Sequence, residues 1–131
     1  MRKTKVVAQL LFALVLGATA LTGCSSAEAE FGFMTGREAY EWIAGGTEAI
    51  ILDVRSEEEF LTGHIEGSIL LPLHELEERA EDILLDKDAS ILVICYSGNR
   101  SQIASQQLAD LGFTNVYDIG GVVGWPGELV Q

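Results

Sequence analysis

Short apolar runs that alternate with segments of helical spacing most constrain the fold of this chain of 131 residues. The run from Ile91 to Ile94 is apolar at every position, as is typical of a parallel strand buried on both faces. A second run, from Ala49 to Val54, is apolar up to Asp53. Because strands alternate with helices along the chain, we expect an α/β fold, a small and mostly parallel sheet with helices on both faces.

Capping signals place the helix starts. Thr35 and Glu38 have capping-box spacing, and so do Ser56 and Glu59, which predicts helices that begin directly after Thr35 and Ser56. The remaining predicted elements are extended segments at 68–71 and 115–119, a helix at 73–84, and a helix that follows the 91–94 strand and ends at Gly112.

The first residues predict a secretory signal. A basic head is followed by an apolar stretch from 6 to 20, shorter than the roughly 20 residues of a membrane-spanning helix. The segment Leu21-Thr22-Gly23-Cys24 resembles the lipobox of bacterial lipoproteins. That resemblance implies a signal peptide at 1–23, cleavage before Cys24 and acylation of Cys24. The alternative is an ordinary cleaved signal with an incidental cysteine.

Cleavage would leave 108 residues (131 minus 23) and would remove three cations, so the net charge would change from −12 to −15. We expect a tether at 24–32 that includes the lipidated cysteine, and one domain at 33–131. The protein would be held on the extracytoplasmic side of a bacterial membrane, in the cell envelope, by acylated Cys24. The sequence leaves inner and outer membrane open. The acidic balance disfavours nucleic acid as a partner, and we expect a monomer with no metal and no cofactor.

Cys95 is the residue most suggestive of chemistry. It stands where the strand at 91–94 gives way to a polar loop and then to a helix start, where backbone N–H groups and the helix dipole favour a thiolate. If Cys24 is lipidated, Cys95 is the only free thiol of the mature chain, which in an exported protein indicates a reactive thiol or an intermolecular bond. The alternative is an inert buried cysteine.

Three stretches together resemble rhodanese-like domains, in order and spacing, from about Phe33 onward. The first is Leu52-Asp53-Val54-Arg55, then Glu59-Phe60, Gly63-His64-Ile65-Glu66-Gly67-Ser68 and Pro72; the second is the segment Ile91 to Ser101; the third is Leu108 to Phe113, Val116 and Gly120 to Trp125.

The resemblance implies a sulfurtransferase that moves a sulfane sulfur from a donor such as thiosulfate to a thiol or cyanide through a persulfide on Cys95. The loop would bind the substrate with residues Tyr96, Ser97, Gly98, Asn99, Arg100 and Ser101. In that loop Arg100 would supply a fixed positive charge for an anionic donor. Asp53 and Arg55 would have one of two roles. They order the catalytic loop without contacting the substrate, or they instead pair with each other or cap the helix that begins after Ser56.

Loop length separates related chemistries. Four residues stand between Cys95 and Arg100, the spacing of sulfurtransferases of this family, whereas related cysteine phosphatases have a loop one residue longer. The sequence therefore disfavours a phosphatase or an arsenate reductase. The stronger alternative is a non-catalytic module of the same fold that carries sulfur, senses redox state or binds a partner.

Overall fold

This computed structural model describes residues 28–131, so the predicted signal peptide and Cys24 lie outside the described residues. The elements are β1 Gly32–Phe33, α1 Gly36–Ala44, β2 Ile50–Asp53, α2 Glu57–Leu61, β3 Ile69–Leu70, α3 Leu73–Ile83, β4 Ile91–Cys95, α4 Asn99–Asp110 and β5 Val116–Gly121, followed by a turn of 3-10 helix at Val122–Gly124.

The strands form one sheet in the order β1-β5-β4-β2-β3, and every pairing in it is parallel. This confirms the predicted α/β class. Strand β4 lies at the centre between β5 and β2, and all five of its residues are buried. The carboxyl ends of these three strands therefore meet at one edge, where ligands bind in open α/β sheets.

Side chains of β4 divide the core into two layers. Val93 packs with Leu76 of α3 and Leu108 of α4 on one face of the sheet. Its neighbour Ile94 packs with Ala39 of α1 on the other face. Successive residues of a strand point to opposite faces, so a strand that is apolar throughout requires helices on both sides. Cys95 points to the α3 and α4 side.

Both predicted capping boxes are present. Thr35 caps α1 and Ser56 caps α2, each with the reciprocal contact from the glutamate three residues later. Strand β1, which pairs Gly32 with Tyr117 of β5, was not predicted from the sequence. The sheet thus begins one residue before the predicted boundary of the domain at 33. Within residues 28–131, no helix is both long enough and apolar enough to cross a membrane.

Candidate active site

Cys95 is the last residue of β4 and is only 1% exposed. Its Sγ atom accepts a hydrogen bond from the backbone N–H of Gly98 at 3.0 Å. The hydroxyl of Ser101 lies 3.6 Å from the same sulfur. The predicted turn after β4 thus folds back over the thiol and surrounds it with donors.

The sulfur occupies the place of a helix cap. Helices α1 and α2 are capped by side-chain oxygens, but α4 begins after Gly98, which has no side chain to offer. Gly98 adopts a φ of 106°, a conformation that residues with a Cβ resist. The unsatisfied N–H groups of the first turn are therefore available to Cys95, which lies at the positive end of a helix of 12 residues.

These contacts set the acidity of the thiol. Burial raises the pKa of Cys95, but hydrogen bonds from the backbone and hydroxyl of Ser101 and from the backbone of Gly98 and Ser97 outweigh it. The net result is a pKa of Cys95 below its ordinary value. The site therefore favours the nucleophilic thiolate without a histidine base.

Ser101 joins the sulfur to the loop. Ser101 is fully buried, and its hydroxyl donates to the carbonyl oxygen of Gly98 at 2.9 Å. A hydroxyl has one proton and can rotate, so the same group can donate to the sulfur once the thiol is ionised.

The end of β5 supports the loop from behind. The register of β4 and β5 shifts between the pairs Val93–Asp118 and Cys95–Gly121, so β5 carries one extra residue. A Cβ at Gly121 would lie 2.0 Å from the carbonyl oxygen of Tyr96. Gly121 is thus a site residue that sequence reasoning missed, although it lies in one of the stretches that carried the resemblance.

Arg100 is paired with a carboxylate. Its Nη1 and Nη2 atoms donate to Oε2 and Oε1 of Glu59, each at 2.7 Å. The Arg100 guanidinium lowers the pKa of Glu59 to about 2, and Glu59 raises the pKa of Arg100 in turn. The sequence predicts a fixed positive charge at Arg100, and in the structure that charge forms an ion pair with Glu59.

Asp53 and Arg55 pair with each other. Nη2 of Arg55 lies 2.7 Å from Oδ2 of Asp53, and both residues are buried. Arg55 also donates to the carbonyl oxygens of Glu59 at 3.3 Å and Gly63 at 2.8 Å. The structure shows the mutual pair and adds a hydrogen bond from Arg55 to the backbone of α2.

Two open clefts flank the Glu59–Arg100 pair. One of about 450 Å³ is lined by Ser56 and Arg100 among others. The other, of about 310 Å³, is lined by Tyr96, Arg55 and Glu59 among others. Tyr96 is half exposed beside the buried thiol. Over residues 28–131, no group of acidic, histidine or cysteine residues is arranged to hold a metal ion.

Comparison with known proteins agrees with this geometry. The family model of the rhodanese-like domain matches residues 35–128. Thiosulfate sulfurtransferase GlpE of Ectopseudomonas mendocina is 38% identical over 107 residues, 78% of this chain and 94% of that protein. Putative sulfur carrier protein YrkF of Bacillus subtilis is 37% identical over 93 residues, 70% of this chain and 49% of that protein. The solved structure of a rhodanese with anions from E. coli superposes with a TM-score of 0.61 at 31% identity, covering 64% of this chain and 99% of that one.

Proposed function

The chain belongs to the rhodanese-like domain family, and on that premise we propose that it is a sulfurtransferase that carries sulfane sulfur on Cys95. The observation that supports this most strongly is the cradle of backbone donors around a buried thiol whose pKa is lowered. The name of the GlpE relative, a thiosulfate sulfurtransferase, agrees with the proposal.

The reaction divides into two displacements. In the first, the Cys95 thiolate attacks the outer sulfur of a donor such as thiosulfate. The S–S bond of the donor breaks, sulfite leaves with the electron pair, and Cys95 becomes a persulfide. In the second, an acceptor thiolate or cyanide attacks the outer sulfur of the persulfide, and the Cys95 thiolate leaves. The thiolate is thereby regenerated, and no external oxidant or reductant is needed.

The loop holds the charge of the intermediate. A persulfide anion needs donors that are already oriented, and the N–H groups at the start of α4 meet that need. Tyr96, Ser97 and Asn99 are exposed residues of the loop that follows Cys95, so they would contact the donor or the acceptor.

Mass spectrometry of the full chain carrying Cys24→Ser tests the proposal, because that variant has Cys95 as its only cysteine. After exposure to thiosulfate the chain should gain the mass of one sulfur atom, and a reducing thiol should remove it. The matched control is the variant that also carries Cys95→Ser, which should gain nothing. A Cys24→Ser chain that takes up no sulfur from any donor would overturn the proposal.

The alternative is a sulfur carrier that passes its sulfur only to a partner, and the similarity to the putative sulfur carrier YrkF favours it as the second candidate. Multiple turnovers with thiosulfate and cyanide separate the two. An enzyme releases thiocyanate continuously, whereas a carrier stops after a single loading of Cys95.

We also propose that the chain is a lipoprotein anchored through acylated Cys24. The support is in the sequence alone, namely the basic head, the short apolar stretch and the segment that ends in Cys24. Replacing Cys24 with Ser in the bacterial host should abolish incorporation of labelled fatty acid and release the protein from membranes. A Cys24→Ser protein that stays with the membrane fraction would contradict this anchor.

A further inference from the structure

The bond between Glu59 and Arg100 determines the charge that a sulfur donor meets at the Cys95 loop. Both terminal nitrogens of the guanidinium are engaged by the two carboxylate oxygens at 2.7 Å. Such bidentate, charge-assisted pairs are among the strongest hydrogen bonds in proteins. The pair therefore presents a positive and a negative charge together, with almost no net charge.

Glu59 is held in place by its own helix. Its Oε2 atom also accepts hydrogen bonds from the N–H and the hydroxyl of Ser56, both at 3.1 Å. Its carbonyl oxygen accepts a hydrogen bond from buried Arg55. These contacts, together with the bond to Arg100, hold the Glu59 carboxylate against the guanidinium.

The clefts beside the loop contain no compensating cation among their lining arginines. Arg100 is paired with Glu59, and Arg55 is paired with buried Asp53. Glu58 and Glu77 line the two clefts and add negative charge. A dianion that approaches Cys95 through either cleft therefore meets no unpaired arginine, and its attraction to the loop depends on the backbone N–H groups at the start of α4.

We infer that Glu59 is a specificity-determining residue that offsets the charge of Arg100 and directs the site toward sulfur donors with at most one negative charge, such as small-molecule persulfides, over dianions such as thiosulfate. This inference rests on the proposed function and names the class of donor for the same site.

Chemistry with such a donor balances in the same way. The Cys95 thiolate attacks the outer sulfur of a persulfide R–S–S⁻, the S–S bond of the donor breaks, and R–S⁻ leaves with the electron pair. Sulfane sulfur moves from one thiol to another, so no oxidant or reductant is required.

Glu59→Gln is the informative substitution, because glutamine retains a carbonyl oxygen that can accept from Ser56, removes the negative charge, and replaces one of the two acceptor oxygens that face Arg100 with an NH2 group. With the full chain carrying Cys24→Ser, we expect kcat/KM for thiosulfate to rise about tenfold, mainly through a lower KM. Inhibition by sulfate, an unreactive dianion, should become tighter by a similar factor. For 2-mercaptoethanol persulfide, kcat/KM should change by less than about twofold.

Glu57→Gln is the matched control, since it removes the same charge from the same helix at an exposed position that does not contact Arg100. We expect Glu57→Gln to leave kcat/KM for thiosulfate, inhibition by sulfate and kcat/KM for the persulfide nearly unchanged. If kcat/KM for thiosulfate rose equally in Glu59→Gln and Glu57→Gln, the effect would come from the overall charge of the protein and not from Glu59. If the ratio of kcat/KM for thiosulfate to kcat/KM for the persulfide did not change in Glu59→Gln, the inference would be wrong. If neither donor loads Cys95 in the parent chain, the proposed function itself fails.

A measurement on the parent chain covers the case in which Glu59→Gln does not fold. Sodium chloride screens charges, so a loop dominated by a free arginine would lose thiosulfate activity as salt is added. We expect thiosulfate activity to stay constant or rise, and activity with the persulfide to stay constant. A steep fall with salt for thiosulfate alone would overturn the inference.

Discussion

At the scale of single residues, the lowered pKa of Cys95 depends on several hydrogen-bond donors, and only some of them can be removed by mutation. The N–H groups of Ser97, Gly98 and Ser101 belong to the backbone, and a side-chain substitution leaves them in place. Among the donors that lower the pKa of Cys95, the Ser101 hydroxyl is the one that a side-chain substitution removes, and the same substitution also removes its hydrogen bond to the carbonyl oxygen of Gly98. Its removal therefore measures what the whole hydroxyl group contributes to thiol reactivity.

Ser101→Ala should raise the pKa of Cys95 toward its ordinary value. One net hydrogen bond of about 1 kcal/mol corresponds to roughly a fivefold fall in the acid dissociation constant of the thiol. The pH dependence of alkylation by iodoacetamide, in the Cys24→Ser chain, measures the effect. Ser97→Ala is the control, because its exposed side chain makes no contact with the sulfur. An unchanged alkylation profile in Ser101→Ala would mean that the backbone alone sets the acidity.

The lowered pKa of Cys95 also predicts how stability depends on pH. A thiol that ionises more readily when folded stabilises the fold in its ionised form, and that contribution is complete above the thiol pKa of the unfolded chain. It disappears as the pH falls through the lower, folded-state pKa. Urea unfolding of the Cys24→Ser chain, compared with the chain that also carries Cys95→Ser, should show a difference that grows with pH in that window. A constant difference would contradict the shift.

At the scale of elements, the sequence predicted those features that depend on neighbours along the chain. Thr35 and Ser56 identify their helices because a capping box is complete within four residues. The pairing of Glu59 with Arg100 spans 41 positions and depends on how α2 and α4 approach each other, which no local pattern encodes. Strand β1 was missed because two residues carry no periodicity.

The contact between β5 and the Cys95 loop leads to a prediction at this scale. Gly121→Ala places a methyl group against the backbone of Tyr96, so the loop must shift. We expect a loss of about 1–3 kcal/mol in the free energy of unfolding and a larger proportional loss of sulfur loading on Cys95.

Gly124→Ala provides the comparison, because a Cβ there meets nothing within 4 Å. It should unfold and load sulfur much as the parent chain does. Gly121→Ala with normal loading would show that the loop adapts to the added methyl group, and the close approach would then have no role in the site. Urea unfolding and mass spectrometry give the two readouts.

At the scale of the whole molecule, alternation of strands and helices predicted the class of fold but not the order of strands. Runs such as Ile50–Asp53 and Ile91–Cys95 are apolar in the same way, so nothing in them specifies which strands become neighbours. The structure joins distant parts of the chain across this sheet. Near the C-terminal end, Val130 forms a bridge with His64, beside the carbonyl group of Gly63 that anchors Arg55.

Val130→Pro tests that closure. Proline removes the N–H that donates to the carbonyl oxygen of His64 at 2.8 Å. One net backbone hydrogen bond of about 1 kcal/mol corresponds to a fall in melting temperature of roughly 4–8 °C for a domain of this size. Val130→Ala retains the bond and is the control in the same circular dichroism melt. Equal melting temperatures for the two variants would show that the bridge does not contribute to stability.

Glu59 supports the cap of α2 and the ion pair to Arg100 with the same carboxylate. The two interactions have different requirements, since the cap needs an acceptor oxygen and the ion pair needs a negative charge. A change of one base converts a glutamate codon into a glutamine codon, and glutamine keeps an acceptor oxygen for the cap but has no charge for the ion pair. A single base change in this chain is therefore enough to alter the donor class that we infer for the site while the cap of α2 keeps its acceptor oxygen.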